Sequence, residues 1–257
     1  MKIALLQTDI VWGDPEANIR KAEAMMNGLN ASLFVLPEMW STGYAVHPEE
    51  VAEDEASSRS LTWMRRVAGE RHCAVCGSIA VRAAADGSYR NRFYFVTPEM
   101  EVGYDKHHLF TFAHEDAHYT RGDQTVIVTY QGVRFLLEVC YDLRFPLWSR
   151  WGGAGEYDAI VYVANWPLER QLAWSTLLRA RAIENQCYVI GVNRVGQERK
   201  ATFGGGSTVI DPQGKTIATC QAQECTCQVD IDVAEVVRQR EAFPVLGDRD
   251  LCPSLTL

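Results

Sequence analysis

The sequence predicts an α/β fold in which two mixed sheets pack together with helices outside. Three observations carry this. Strand-like apolar runs alternate with helix-period segments along the whole chain, hairpin signals interrupt the alternation, and the pattern of the first half recurs in the second. No low-complexity linker divides the 257 residues, so one domain over 1–257 is expected. No short-period repeat points to a solenoid.

Taken in order, Ile3 to Gln7 reads as a buried strand. Pro15 opens a helix whose Ala22, Met25, Met26 and Leu29 fall at i, i+3, i+4, i+7. Ala31 to Leu36 is the next apolar run and ends at Pro37-Glu38. A second helix is expected over Ser60 to Arg71 and a strand over Ala74 to Val81. Asp86-Gly87 marks a hairpin, with Phe93 to Val96 pairing back. Val126 to Tyr130 and Val133 to Cys140 are strands joined at Gln131-Gly132, and a short helical turn is expected after Pro146. Ala159 to Ala164 is a buried strand. Pro167 then sits at a helix start, with Leu168, Leu172, Leu178 and Ala182 running towards Asn185. Tyr188 to Val192, Thr208 to Ile210, Thr216 to Thr219 and Gln228 to Ile231 complete the strands. Asp232 and Glu235 have the spacing of a capping box for a last helix that ends before Pro244.

Charge narrows the function. Lys and Arg number 25 against 33 Asp and Glu, a net charge of −8. A nucleic-acid binder needs a basic stripe to neutralise phosphates, and a membrane-surface protein a polybasic patch, so neither partner is expected. No apolar run approaches the roughly 20 residues of a membrane span, and the short N-terminal run meets Asp9 at once. A cytoplasmic protein is expected, with its eight cysteines reduced.

Three segments end an apolar run on a reactive residue, where α/β proteins build ligand sites. They are Leu33 to Glu38, Tyr104-Asp105-Lys106-His107-His108-Leu109-Phe110, and Phe135 to Cys140 followed by Tyr141-Asp142-Leu143-Arg144-Phe145-Pro146. Singly, Glu38 reads as the first solvated residue of a loop, Lys106 as a surface lysine and Cys140 as a small buried hydrophobe. Cys140 stands apart from the other cysteines because a turn follows it, whose amide groups can donate to an anion.

Together these segments resemble the Glu, Lys and Cys motifs of the nitrilase (carbon–nitrogen hydrolase) superfamily. The likeness runs from the first strand to Phe243-Pro244. It is strongest to the omega-amidase branch through Tyr-Asp-Lys-His-His-Leu-Phe, Cys-Tyr-Asp-Leu-Arg-Phe-Pro-Leu-Trp-Ser-Arg, and Ala-Asn-Trp-Pro-Leu-Glu-Arg. Ala180 to Gln186 and Gly191-Val192-Asn193-Arg194 also fit that branch. The resemblance implies a four-layer α-β-β-α sandwich, usually a homodimer. It also implies hydrolysis of the omega-amides of 2-oxoglutaramate and 2-oxosuccinamate, without metal or organic cofactor. Glu38 would be the general base, Lys106 the oxyanion partner and Cys140 the nucleophile. The family's second glutamate maps onto Glu115, with Asp116 as its neighbour. Other chemistries of the superfamily, on nitriles, aliphatic amides and carbamoyl groups, share the same triad.

A 2-oxo acid amide carries a carboxylate, which a bidentate arginine suits. Arg170 and Arg144 are the candidates, although Arg144 is also placed to pair with Asp142. Tyr141 would supply a backbone N–H to the oxyanion, and Trp166 and Tyr44 would wall the pocket. A Cys–His hydrolase would need one of His107, His108, His114 or His118 beside Cys140; these histidines are expected at the surface. A zinc site from Cys73, Cys76, Cys225 and Cys227 is disfavoured, because positions three apart on a strand face opposite ways. Glu138 raises a further question. Two residues before Cys140 on the same strand, it is expected to share its face, unless a bulge turns it away.

Overall fold

A computed structural model describes residues 1–198 and 201–249. The first half holds β1 (Lys2–Gln7), α1 (Pro15–Met26), β2 (Leu33–Val35), β3 (Glu53–Asp54), α2 (Arg59–Arg71), β4 (Ala74–Arg82), β5 (Tyr89–Val96) and β6 (Glu101–Asp105). The second half holds β7 (Ile127–Tyr130), β8 (Val133–Val139), β9 (Ala159–Ala164), α3 (Gln171–Asn185) and β10 (Tyr188–Asn193). There follow β11 (Val195–Glu198), β12 (Ala201–Gly204), β13 (Thr208–Ile210), β14 (Thr216–Thr219), β15 (Cys225–Asp230) and α4 (Val233–Ala242).

One sheet runs β15-β1-β2-β4-β5-β6, with β3 also on β4; the other runs β14-β13-β10-β9-β8-β7. In each, a parallel centre is flanked by antiparallel pairs, as the mixture of crossovers and hairpins requires. Alternation along the strands explains the layering. Ile3, Leu5, Leu33 and Val35 meet Phe135, Leu137, Val139 and Val161 between the sheets. Their neighbours Ala4, Leu6 and Phe34 face α1 and α2, and Leu136, Ile160 and Tyr162 face Trp174, Leu178 and Ala182 of α3. Two faces are buried on each sheet, and the result is the α-β-β-α sandwich.

Local chemistry sets the helix starts. Asp14 caps α1 through a bond from Ala17 N, and Ser58 caps α2 through one from Leu61 N. Asp232 caps α4 from Ala234 N. The expected reciprocal bond from Glu235 is not made, because that carboxylate accepts from Tyr188 Oη at 2.5 Å instead. Gln131 and Gly132 both adopt positive φ, the turn that matches the twist of the β7–β8 hairpin.

Three expectations are corrected. Pro167 does not open α3: a bridge to Phe203 holds it extended, a 3-10 turn spans Leu168–Arg170, and α3 begins at Gln171. Leu168 and Leu172 are therefore exposed rather than on the buried face. The helical turn near Pro146 lies before it, at Cys140–Arg144. Cys73 and Cys76 do fall on opposite faces, in the helix-side and inter-sheet clusters respectively, and the seven cysteines described are free thiols.

Candidate active site

Glu38 follows β2 and Pro37 and is fully buried. Its loop is pressed against β4: a Cβ on Gly77 would lie 2.9 Å from Leu36 Cβ, so only glycine fits there. Ser78 Oγ accepts from Met39 N at 2.9 Å, and Met39 takes a left-handed conformation. Lys106 follows β6 directly, and Glu115 opens a 3-10 turn after the left-handed His114. Cys140 ends the third approach. It leaves β8 with φ +46° and starts its own 3-10 turn. A non-glycine residue at positive φ is uncommon. Here such residues stand at or beside Glu38, Glu115 and Cys140, where the backbone is bent to aim a side chain.

These bends bring the groups together. Lys106 Nζ donates to Glu38 Oε1 at 2.9 Å and to Glu115 Oε2 and Oε1 at 2.9 and 3.2 Å. All three side chains are buried. Asn91 Nδ2 bridges the carboxylates, at 2.8 Å from Glu38 Oε1 and 3.2 Å from Glu115 Oε1. Glu38 Oε2 accepts from Asn165 N at 2.8 Å, and Asn165 Nδ2 donates to Glu38 O at 2.7 Å. Each buried charge is thus paired and hydrogen-bonded, the condition under which such groups are tolerated.

Burial alone would lower the Lys106 pKa, but Glu115 and Glu38 outweigh it and hold the ammonium well above its ordinary range. Burial and the neighbouring Glu38, which hydrogen-bonds it, push the Cys140 thiol well up, against the opposing pull of Lys106. The resting sulfur is therefore a neutral thiol beside a carboxylate.

Cys140 opens on a cavity of about 250 Å³ that Glu38, Tyr44, Lys106, Tyr141, Trp166 and Arg170 also line. Of the eight residues singled out in the sequence, Glu115 alone stands behind the wall, on the far side of Lys106. Its neighbour Asp116 is exposed. Tyr44 presents a hydroxyl with no partner among the described residues, and burial pushes its pKa up. Arg170 pairs with Glu169 and lies over Phe110.

Arg144 does not pair with Asp142. That carboxylate is already filled by Val139 N, Tyr104 Oη, and the backbone and ring nitrogens of His108, all within 3.0 Å. The Arg144 guanidinium stacks on Trp166 at 4.9 Å, lines the cavity and has no ion pair among the described residues. His107 is buried against Trp148 and His108 is half-buried, so these two are not surface residues. No histidine is among the groups acting on Cys140.

Glu138 turns away from Cys140. It lies beside Tyr162 across β8–β9, on the face that packs against α3, whereas Cys140 has already left the strand. The sequence reading did not single out Asn91, Asn165 or the β11–β12 ribbon, whose Ala201 and Phe203 close the cavity. The Asn-Trp-Pro run at 165–167 was the available signal for Asn165.

A family model described as carbon-nitrogen hydrolase matches residues 2–241. The chain belongs to that family. Among this carbon–nitrogen hydrolase's relatives is Omega-amidase YafV of Escherichia coli (strain K12), 43% identical over 254 residues and covering 97% of each chain. A 2-oxoglutaramate amidase of Bacillus subtilis (strain 168) is 35% identical over 252 residues, covering 96% of each. Among solved structures, XC1258 from Xanthomonas campestris, a CN-hydrolase superfamily protein with an arsenic adduct in its active site, superposes with a TM-score of 0.92. It is 35% identical and covers 97% of each chain.

Proposed function

We propose that this carbon–nitrogen hydrolase is an omega-amidase, which cleaves the terminal amide of 2-oxoglutaramate or 2-oxosuccinamate to the dicarboxylate and ammonia. The observation that carries the reading is one cavity lined by a thiol, a carboxylate and an ammonium, with an unpaired arginine on its wall. The names of the relatives support the same substrate class.

Glu38 takes the thiol proton as Cys140 Sγ bonds to the amide carbon. Lys106 Nζ and Tyr141 N–H hold the oxyanion, which is where preorganised donors contribute most to catalysis. Glu38 then gives its proton to the nitrogen, the C–N bond breaks and ammonia leaves a thioester. Water attacks that thioester with Glu38 again as base; the C–S bond breaks and the thiol recovers its proton. Glu115 acts through Lys106, fixing its position and charge. Protons and electrons balance among these groups without metal or organic cofactor.

Arg144 would take the substrate carboxylate by a bidentate contact, with Trp166 and Tyr44 as walls and Arg170 at the mouth. A homodimer in the cytoplasm, built from one unit over residues 1–257, belongs to the same reading; sedimentation checks the oligomer.

The test is ammonia release from 2-oxoglutaramate, glutamine, a nitrile and an N-carbamoyl amino acid, with wild type and Cys140→Ala. Turnover of 2-oxoglutaramate well above the others, lost in the variant, is expected. Preference for the nitrile or carbamoyl compound would reassign the substrate, and wild-type turnover by Cys140→Ala would remove the mechanism.

A further inference from the structure

Outside the cavity, the loop that follows Tyr44 and the turn that follows Glu115 bring three ligand-type side chains together. His47, Glu49 and His118 each offer one donor atom, and these atoms lie within 4.8 Å of one another. His47 Nδ1 is 3.4 Å from Glu49 Oε1. That is roughly the spacing of two ligands on one tetrahedral ion with bonds of about 2.0–2.1 Å. The two imidazoles meet edge to face, with centroids 4.5 Å apart.

The backbone beneath them is held independently. Tyr119, next to His118, is buried and donates from its hydroxyl to Ala45 O at 2.7 Å. Val51 N and Ala52 N both return to Pro48 O, at 3.0 and 2.7 Å, which folds the segment carrying Glu49 into a turn. His118 N is fixed to Glu115 O at 3.1 Å. The donors are thus displayed on a preformed frame, and the His47 and Glu49 side chains are exposed enough for an ion to reach.

A surface His–Glu pair on its own contributes little and needs no ligand. The second imidazole changes the chemistry. Two nitrogens and one carboxylate suit zinc, cobalt or nickel, whereas calcium and magnesium favour all-oxygen sites.

We propose that His47, Glu49 and His118 bind one divalent ion of the zinc, cobalt and nickel class. The ion takes no part in amide cleavage, since none of the three residues lines the cavity. It pins the loop that carries Tyr44 to the turn that carries Glu115, with water completing its coordination.

Co²⁺ is the probe, because its spectrum separates nitrogen and oxygen ligands from cysteine sulfur. The full chain, stripped with a chelator, is expected to bind one Co²⁺ with visible d–d bands and no thiolate charge-transfer band. Its melting temperature should rise, as for any ligand that binds only the folded state. His47→Ala and His118→Ala should each weaken binding by about tenfold or more, since even outer-shell losses cost roughly 10–100-fold. Both should keep metal-free turnover. Equal affinity in wild type and the double variant, a thiolate band, or no saturation below millimolar Co²⁺ would each overturn the proposal.

Discussion

Glu115 meets the Lys106 ammonium with both carboxylate oxygens, at 2.9 and 3.2 Å, while Glu38 meets it with one, at 2.9 Å. This division matters because Lys106 has two tasks that conflict. It must stay charged in a buried site, and it must leave Glu38 basic enough to take a proton. A second carboxylate carries most of the first task. Glu115→Gln keeps the shape and removes the charge, so Glu38 becomes the ammonium's main counter-ion and a poorer base. The expected result is a kcat lower by about 10²-fold, comparable to losing one oxyanion donor, with KM little changed. Steady-state kinetics on 2-oxoglutaramate measure it, and an unchanged kcat would remove Glu115 from the machinery.

How much of this was legible depended on the range of the signal. Glu38, Lys106 and Cys140 each close an apolar run, and hydrophobic pattern with neighbouring turn residues marks such positions within a few residues. Asn91 and Asn165 carry no such mark: they meet Glu38 across 53 and 127 residues of chain. Arg144 was visible, but its partner was misjudged, because Asp142 is two residues away in sequence while its four donors come from elsewhere. Glu138 failed for a local reason. Strand periodicity holds only while the backbone remains extended, and Cys140 is where it stops.

The Cys140 thiol gives a prediction with a definite sign. Burial and Glu38 raise its pKa and Lys106 opposes them, so the neutral form dominates at neutral pH. Alkylation by iodoacetamide needs the thiolate and should climb by about tenfold per pH unit, still rising at pH 9. Glu38→Gln removes one of the groups that raise the pKa. That variant should alkylate faster than wild type at pH 7 while losing turnover. A plateau in the wild type below pH 8 would instead indicate a standing thiolate–ammonium pair.

Arg144 should separate acid-bearing substrates from neutral ones. Its guanidinium lines the cavity over Trp166, whereas Arg170 is engaged by Glu169. A hydrogen bond to a charged group contributes about 1.5–3 kcal/mol, so Arg144→Leu should cost roughly 10–100-fold in kcat/KM on 2-oxoglutaramate. Hydrolysis of a short neutral amide should change little, and Arg170→Leu should have the smaller effect. Equal losses on both substrates would mean that Arg144 only shapes the wall.

Glu138 should reveal itself in stability rather than in turnover. Both its oxygens are buried without a hydrogen-bond partner among the described residues. Burial and the nearby Asp142 raise its pKa well above the carboxylate range, against Arg181. The groups facing it are Asp142, Arg181 and the hydroxyls of Tyr104, Tyr157 and Tyr162. A raised folded pKa means that the folded state holds a proton which the unfolded chain releases near pH 4.3. The stability this proton confers is complete below that pH and is lost as pH rises towards the folded value, at up to about 1.4 kcal/mol per pH unit. Glu138→Gln cannot titrate, so its stability should gain on the wild type steadily from pH 5 to pH 8. Its kcat should stay within a few-fold of wild type, because the side chain faces α3 and not the cavity. Urea melts across that pH range measure the difference. Parallel curves for the two proteins would show that Glu138 ionises in the folded state, with Arg181 as its counter-charge.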